Sequence, residues 1–166
     1  AVACSLAMQN AMMEINEVHA NEMLPLLEMG IGITSGEVVV GNIGSEKRAK
    51  YGIVGAPANL AARIEALSTG QQVLISSETV ERCSAPLRID HAFVISVKGV
   101  AHPITIHSVS GIGGMHDIAF TASVAELRQV RPSIRIELAV LDGKSVSEHR
   151  VDAELLACSV SQAEVR

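Results

Sequence analysis

Asn59 and Arg63 are the pair in this chain best placed to do chemistry. They stand four residues apart in "APANLAARIEAL" (56–67), among small and apolar neighbours. On a helix, positions i and i+4 share one face, a turn apart. An amide and an always-charged fork of donors would then point the same way. That combination suits an anionic or ribose-bearing ligand. The same spacing also allows a plain surface role, with Arg63 pairing with Glu65 or Glu37 and Asn59 helping the first turn. A lone N-x-x-x-R does not separate the two readings.

Other chemistry-bearing residues are dispersed. His19, His91, His102, His107, His116 and His149 show no i, i+4 pairing of the kind that holds a metal on one helix face. Cys4, Cys83 and Cys158 lack CxxC spacing and are odd in number, so they read as small buried hydrophobes in a reducing compartment. The one basic cluster, "EKRAK" (46–50), is short, and a solvated loop accounts for Lys47, Arg48 and Lys50.

Composition narrows the class. At 166 residues, the chain fits one domain, or a domain with a small appendage. It is 48% hydrophobic and 19% charged, which supports a sizeable core. Aromatic residues are 2% and the net charge is −5, so neither base-stacking platforms nor general attraction to phosphate backbones is expected. No nucleic-acid partner is implied. No apolar run reaches 18 residues, so no membrane segment is expected. The chain opens at Ala1 directly into helical pattern, without the charged start of a signal peptide. It reads as beginning inside a longer protein.

The elements that must position Asn59 and Arg63 follow from periodicity. Residues 1–19 predict a well-buried helix. Two β-branched runs, 31–34 and 37–40, flank Ser35-Gly36; Gly41 and Gly44 suggest a second turn, and 51–54 a third short strand. A helix follows from about 57 to 67, with Pro57 in its first turn and Gly70 suited to a left-handed stop. Its apolar stripe is Leu60, Ile64 and Leu67; Asn59, Ala62, Arg63 and Ala66 form the neighbouring stripe. Further strands are expected at 71–76, 87–97 and 103–109, with a short helix after Ser76 or Ser77. Beyond "GIGG" (111–114) the texture changes, and two strands about Leu141-Asp142-Gly143 suggest a hairpin. The pattern is α+β, with helices on one face of a sheet whose turns look antiparallel. Residues 1–110 form the principal domain and 111–166 a β-rich C-terminal extension.

The string "GIGITSGEVVVGNIGSEKRAKYGIVGAPANLAARIEALSTGQQVLIS" resembles the C-terminal half of the class III adenylate and guanylate cyclase catalytic domain. The carrying pieces are "GIGITSGEVVVGNIGS", "KYGIVG", "ANLAARIE" and "QVLIS", with "VKGV…PITIHSVSG" where that family closes its domain. The resemblance extends over roughly residues 1–110 and implies a ferredoxin-like cyclase-type sheet, incomplete at its N-terminus.

What the resemblance implies is specific. Class III cyclases convert ATP or GTP to the 3′,5′-cyclic monophosphate plus pyrophosphate. Asn59 matches the asparagine that orients the ribose, and Arg63 the arginine that stabilises the transferring phosphoryl group. Lys98 matches a lysine that contacts the terminal phosphates, although Val100 replaces a usual second lysine and a solvated strand-end role also fits. Gly52 falls where many cyclases carry Asp or Thr to read the purine edge, and glycine has nothing to read with. Ala56-Pro57 replaces a common Asp and implies altered helix entry.

The family's sites form between two catalytic domains, so a cytoplasmic homodimer is implied, with the 37–52 region reaching toward the partner. Two metal ions, Mg²⁺ or Mn²⁺, would be held by two aspartates ahead of this chain's first helix. Asp90, Asp117, Asp142 and Asp152 lie too late to substitute. The chain alone is therefore expected to be inactive, and its first helix to lack strands to pack against. A non-catalytic cyclase-like dimerisation or regulatory module is the alternative. A ferredoxin-like domain of unrelated function is a third reading.

Overall fold

The computed structural model describes residues 1–45, 47–96, 102–120, 128–142, 145–158 and 163–166. The chain divides into two compact units, Ala1–Phe120 and Thr121–Arg166.

In the first unit, α1 (Val2–Asn21) is followed by β1 (Ile31–Ile33), β2 (Val39–Ser45), β3 (Arg48–Val54) and α2 (Ala56–Leu67). Then come β4 (Val73–Ser76), α3 (Ser77–Arg82), β5 (Leu87–Ile95), β6 (Ile104–Ile112) and β7 (Ile118–Ala119). The main sheet runs β1-β4-β6-β5, with β7 also on β6. β1 pairs with β4 in parallel, Gly32 opposite Leu74, whereas the β4–β6 and β5–β6 pairs are antiparallel. A parallel pair needs a crossover, since a tight turn cannot return the chain to the same end. α2 is the helix of that crossover, which is why it lies on the sheet.

The core under α2 is built from Ile64, Leu74 and Ile106, with Leu60, Ile95 and Ile104 packed against it. Fully burying a side chain of Ile64's size contributes about 2–3 kcal/mol. Leu67, expected to share the apolar stripe, is instead 39% exposed at the helix end. The helix stops at Ser68, whose Oγ donates to the Glu65 carbonyl (2.6 Å), while the Thr69 amide donates to Gln72 Oε1 (3.0 Å). The left-handed residue is Gln71 (φ 65°), not Gly70. Gly70 instead leaves room for Glu28, which would stand 2.8 Å from a Cβ there.

Several expectations are corrected. Residues 31–34 and 37–40 do not form neighbouring strands: β1 joins the main sheet, and β2, among the described residues, pairs only with β3, from Val39 opposite Val54 to Ser45 opposite Arg48. Gly41 and Gly44 lie within β2 rather than in a turn. α1 does find strands to pack on, lying across β4, β6 and β7. Only its first half is buried, at Val2, Ser5, Leu6 and Gln9. Its second half holds the connector: Asn16 exchanges two hydrogen bonds with the Leu27 backbone at 2.8 Å, and His19 Nδ1 donates to the Pro25 carbonyl at 2.8 Å. Cys4 is exposed rather than buried. Residues 111–120 lie in the first unit, because β6 runs to Ile112 and β7 pairs with it.

The second unit is an antiparallel sheet of β8 (Arg128–Asp142), β9 (Ser145–Cys158) and β10 (Ala163–Val165), in the order β10-β9-β8. Ile134, Ile136 and Leu138 sit opposite Leu155, Ala153 and Val151, so one face is apolar. Arg135, Glu137, Asp152 and Glu154 occupy the other.

Candidate functional site

α2 is held against the sheet from below. Gly32 in β1 approaches it backbone to backbone: a Cβ at position 32 would stand 2.4 Å from the Glu65 amide nitrogen and 2.6 Å from the Ala61 carbonyl oxygen. No side chain larger than hydrogen fits that contact. With Ile64 buried and Ala61 facing β1, the helical period turns Asn59, Ala62 and Arg63 outward, and all three are exposed. The Asn59 amide closes the first turn onto the Gly55 carbonyl (3.4 Å). Pro57, with no N–H to lose in that turn, fixes the entry.

The entry is also shaped by the residues before β2. A Cβ on Gly36 would stand 2.4 Å from Pro57 Cγ, and one on Gly55 would stand 3.3 Å from the Glu37 carbonyl oxygen. The 36–38 segment therefore lies directly on the start of the helix that bears Asn59 and Arg63.

The β2–β3 hairpin adjoins α2 through Gly55. Strand alternation puts Arg48, Lys50 and Gly52 on one face of β3, opposite Ser45, Ile43 and Gly41. A groove of about 400 Å³ is lined by Ile43, Arg48, Lys50, Gly52 and Ile53. Gly52 and Gly41 are register partners. A Cβ on Gly41 would meet nothing within 4 Å, and one on Gly52 only Ile43 Cδ1 at 3.8 Å. Packing does not demand glycine at position 52, in contrast to position 32.

The hairpin carries exposed apolar side chains on both faces in the single chain, beside Arg48 and Lys50 on one of them. Val39 is 71% exposed, Tyr51 76%, Ile53 59% and Val40 52%. A two-stranded sheet is marginal in water without a surface to pack on, and exposed apolar surface on this scale marks an interaction site. Sequence patterning missed this, because alternation cannot show whether a strand's apolar side chains face a core or a partner.

Lys98 lies outside the described residues. Among the described residues, no three His, Cys, Asp or Glu side chains gather into a group that could hold a metal ion. The donors of Asn59 and the charge of Arg63 suit anions, not cations, so the described residues do not fit a metal pair. No helix is long and apolar enough to cross a membrane, among the described residues. A larger groove, about 510 Å³, lies in the second unit among Arg135, Glu137, Asp152, Glu154 and Arg166. Its charges answer one another, as in the 2.7 Å Arg166–Glu154 pair.

The fold and site thus define an α+β domain with a parallel β-α-β crossover whose helix presents an amide and a guanidinium, and with an uncovered apolar hairpin beside it. A sequence model of the adenylate and guanylate cyclase catalytic domain matches residues 1–111. The chain belongs to that family. It is 30% identical over 118 residues to the adenylate cyclase of Anabaena cylindrica, which is 66% of this chain and 24% of that protein. To adenylate cyclase 1 of Rhizobium meliloti it is 28% identical over 114 residues, 68% of this chain and 17% of that protein. The chain therefore spans less than a quarter of the length of these relatives. Among solved structures, the guanylyl cyclase Cya2 matches with a TM-score of 0.66 and 47% identity, over 72% of this chain and 61% of that one. The adenylyl cyclase CyaB from P. aeruginosa matches with a TM-score of 0.59 and 30% identity, over 72% and 60%.

Proposed function

We propose that this chain is part of a nucleotide cyclase that converts ATP or GTP to the 3′,5′-cyclic monophosphate and pyrophosphate at a site shared by two copies. The observation that carries the reading is the exposed Asn59–Arg63 pair on a helix pinned to its sheet by Gly32 and Ile64, in a chain of this family. Asn59 orients the ribose so that its 3′-oxygen lies in line with the α-phosphorus. The bond from that oxygen to phosphorus forms as the bond to the departing pyrophosphate breaks. Arg63 offers paired donors where charge accumulates on the phosphoryl oxygens, and such preorganised donors supply a few kcal/mol of transition-state stabilisation. Lys98 contacts the terminal phosphates. Gly52 stands beside the base and contributes backbone only, so purine choice rests on other groups of the groove.

The family works with divalent ions, Mg²⁺ or Mn²⁺, which neutralise phosphate charge. Their ligands are not assigned to any described residue of this chain, so the chain by itself is proposed to be inactive. The uncovered β2–β3 hairpin supports a homodimer, which would bring Asn59 and Arg63 to a site completed by the other copy.

The absence of a metal-holding group among the described residues, together with Gly52, favours one second reading: a non-catalytic cyclase-like dimerisation or regulatory module. The deciding assay uses the intact protein with Mg²⁺ or Mn²⁺ and either ATP or GTP. Turnover is expected, and Arg63→Ala should lower it roughly 10²-fold or more while leaving dimerisation intact. Unchanged turnover in that variant would remove Arg63 from the transition state. No cyclic nucleotide from the intact wild-type protein would favour the regulatory module.

A further inference from the structure

We propose that the Thr34–Gly36 segment is a positioning device for α2, with Gly36 as the seat of Pro57 and a run of hydroxyls, buried at Ser76 and Thr79, holding that seat in place. The inference rests on the reading of Asn59 and Arg63 given above.

Three contacts build the device. Thr34 Oγ1 and Ser76 Oγ are 3.0 Å apart, joining the ends of the parallel strands β1 and β4. Ser76 Oγ meets Thr79 Oγ1 at 3.3 Å, and Thr79 Oγ1 meets Ser35 Oγ at 3.1 Å. Ser76 is the N-cap residue of α3, yet its hydroxyl joins this run and makes no cap bond to the helix backbone. Ser76 and Thr79 are buried, at 1% and 7% exposure. Buried hydroxyls have few alternative partners, so the run resists rearrangement. It fixes the residue before Gly36, and Gly36 in turn touches the Pro57 ring so closely that a Cβ would stand 2.4 Å from Cγ. Asn59 is two residues beyond Pro57, and Arg63 one turn further. A shift of the seat is transmitted along a rigid helix to both side chains. Gly36 and Ser35 touch no reacting atom; they act through α2.

The test is a rescue experiment in the intact protein. Gly36→Ala should lower kcat about 10- to 100-fold, the scale of a displacement near 1 Å at the reacting groups. KM should stay within roughly threefold, as expected when ground-state binding survives. Pro57→Ala removes the Cγ that the new methyl meets, so Gly36→Ala/Pro57→Ala should regain most of the lost kcat. A merely structural role for Gly36 would instead lower the unfolding midpoint while leaving kcat per folded molecule, and exchange across 56–67 in the native state, at wild-type values. Wild-type kcat in Gly36→Ala, or a double variant no faster than the single one, would overturn the proposal.

Should Gly36→Ala not fold, Ser35→Ala removes only one hydroxyl of the run. It should speed hydrogen exchange across 56–67 and lower kcat; no change in either would equally overturn the proposal. Arg63→Ala separates the role of the site from that of its seat. Wild-type turnover there would defeat the reading of the site, whereas exchange across 56–67 in Gly36→Ala reports on the seat itself.

Discussion

Gly32 in β1 and Glu65 in α2 meet backbone to backbone, so closely that a Cβ on Gly32 would stand 2.4 Å from the Glu65 amide nitrogen. That contact sets how deeply the helix lies on the sheet. Depth and rotation are linked, because Ile64 must enter the core beside Leu74 and Ile106. Once both are satisfied, the remaining face of α2, with Asn59 and Arg63, has only one way to point.

Gly32→Ala should therefore cost about 1–3 kcal/mol by overpacking, since the methyl meets main-chain atoms that cannot rotate away. Urea denaturation of the chain, followed by circular dichroism, measures it. An unchanged midpoint would mean that α2 can lift from β1 without penalty, and that the contact does not set the helix depth.

Gln9 predicts a second stability effect. It is fully buried, and its Nε2 donates to the Met29 carbonyl (2.8 Å) and the Gln72 carbonyl (3.3 Å), tying α1 to the residues that flank β1 and β4. Gln9→Leu keeps the bulk and removes the donor, while each carbonyl keeps a backbone partner, the Gln71 amide for Met29 (3.1 Å) and the Ile31 amide for Gln72 (3.0 Å). A loss of about 0.5–1.5 kcal/mol is expected in the same denaturation experiment.

The hairpin predicts an effect on association with little effect on folding. Val40 and Ile53 are register partners, 52% and 59% exposed in the single chain. Replacing both with Asp should change the stability of the isolated chain by no more than about 0.5 kcal/mol per site. Self-association, followed by sedimentation velocity, should weaken at least about tenfold, because apolar area would be replaced by unpaired charge. Unaltered association would place the dimer contact elsewhere.

Gly52 predicts a change in specificity. Space at that position is open, so Gly52→Asp should fold normally. A carboxylate beside the base would add or deny one hydrogen bond, and should move the ATP-to-GTP ratio of kcat/KM by about tenfold. An identical ratio in the intact protein would place purine selection away from position 52.

Much of the region around α2 was legible in the chain itself. Pro57 marks the entry of the helix, and the spacing of Leu60 and Ile64 orients it, because local sterics and the 3.6-residue period act within one element. The family resemblance was legible too, since it rests on an ordered string of residues. The positions of Asn59 and Arg63 on one outward face followed from that same period.

Relationships between elements were not legible. The β-branched runs at 31–34 and 37–40 look alike in composition, yet one became a strand of the main sheet and the other an exposed hairpin. Strand patterning encodes alternation, not the identity or direction of the neighbour. The helix stop moved from Gly70 to Ser68 because the Ser68 side chain satisfied the Glu65 carbonyl and Glu28 took the space beside the glycine. Residue type and spacing by themselves thus determined which groups could do chemistry and which helix would carry them. Only the tertiary structure decided that Gly32 and Gly36 must be glycines while Gly52 need not be, because steric exclusion depends on atoms far away in sequence.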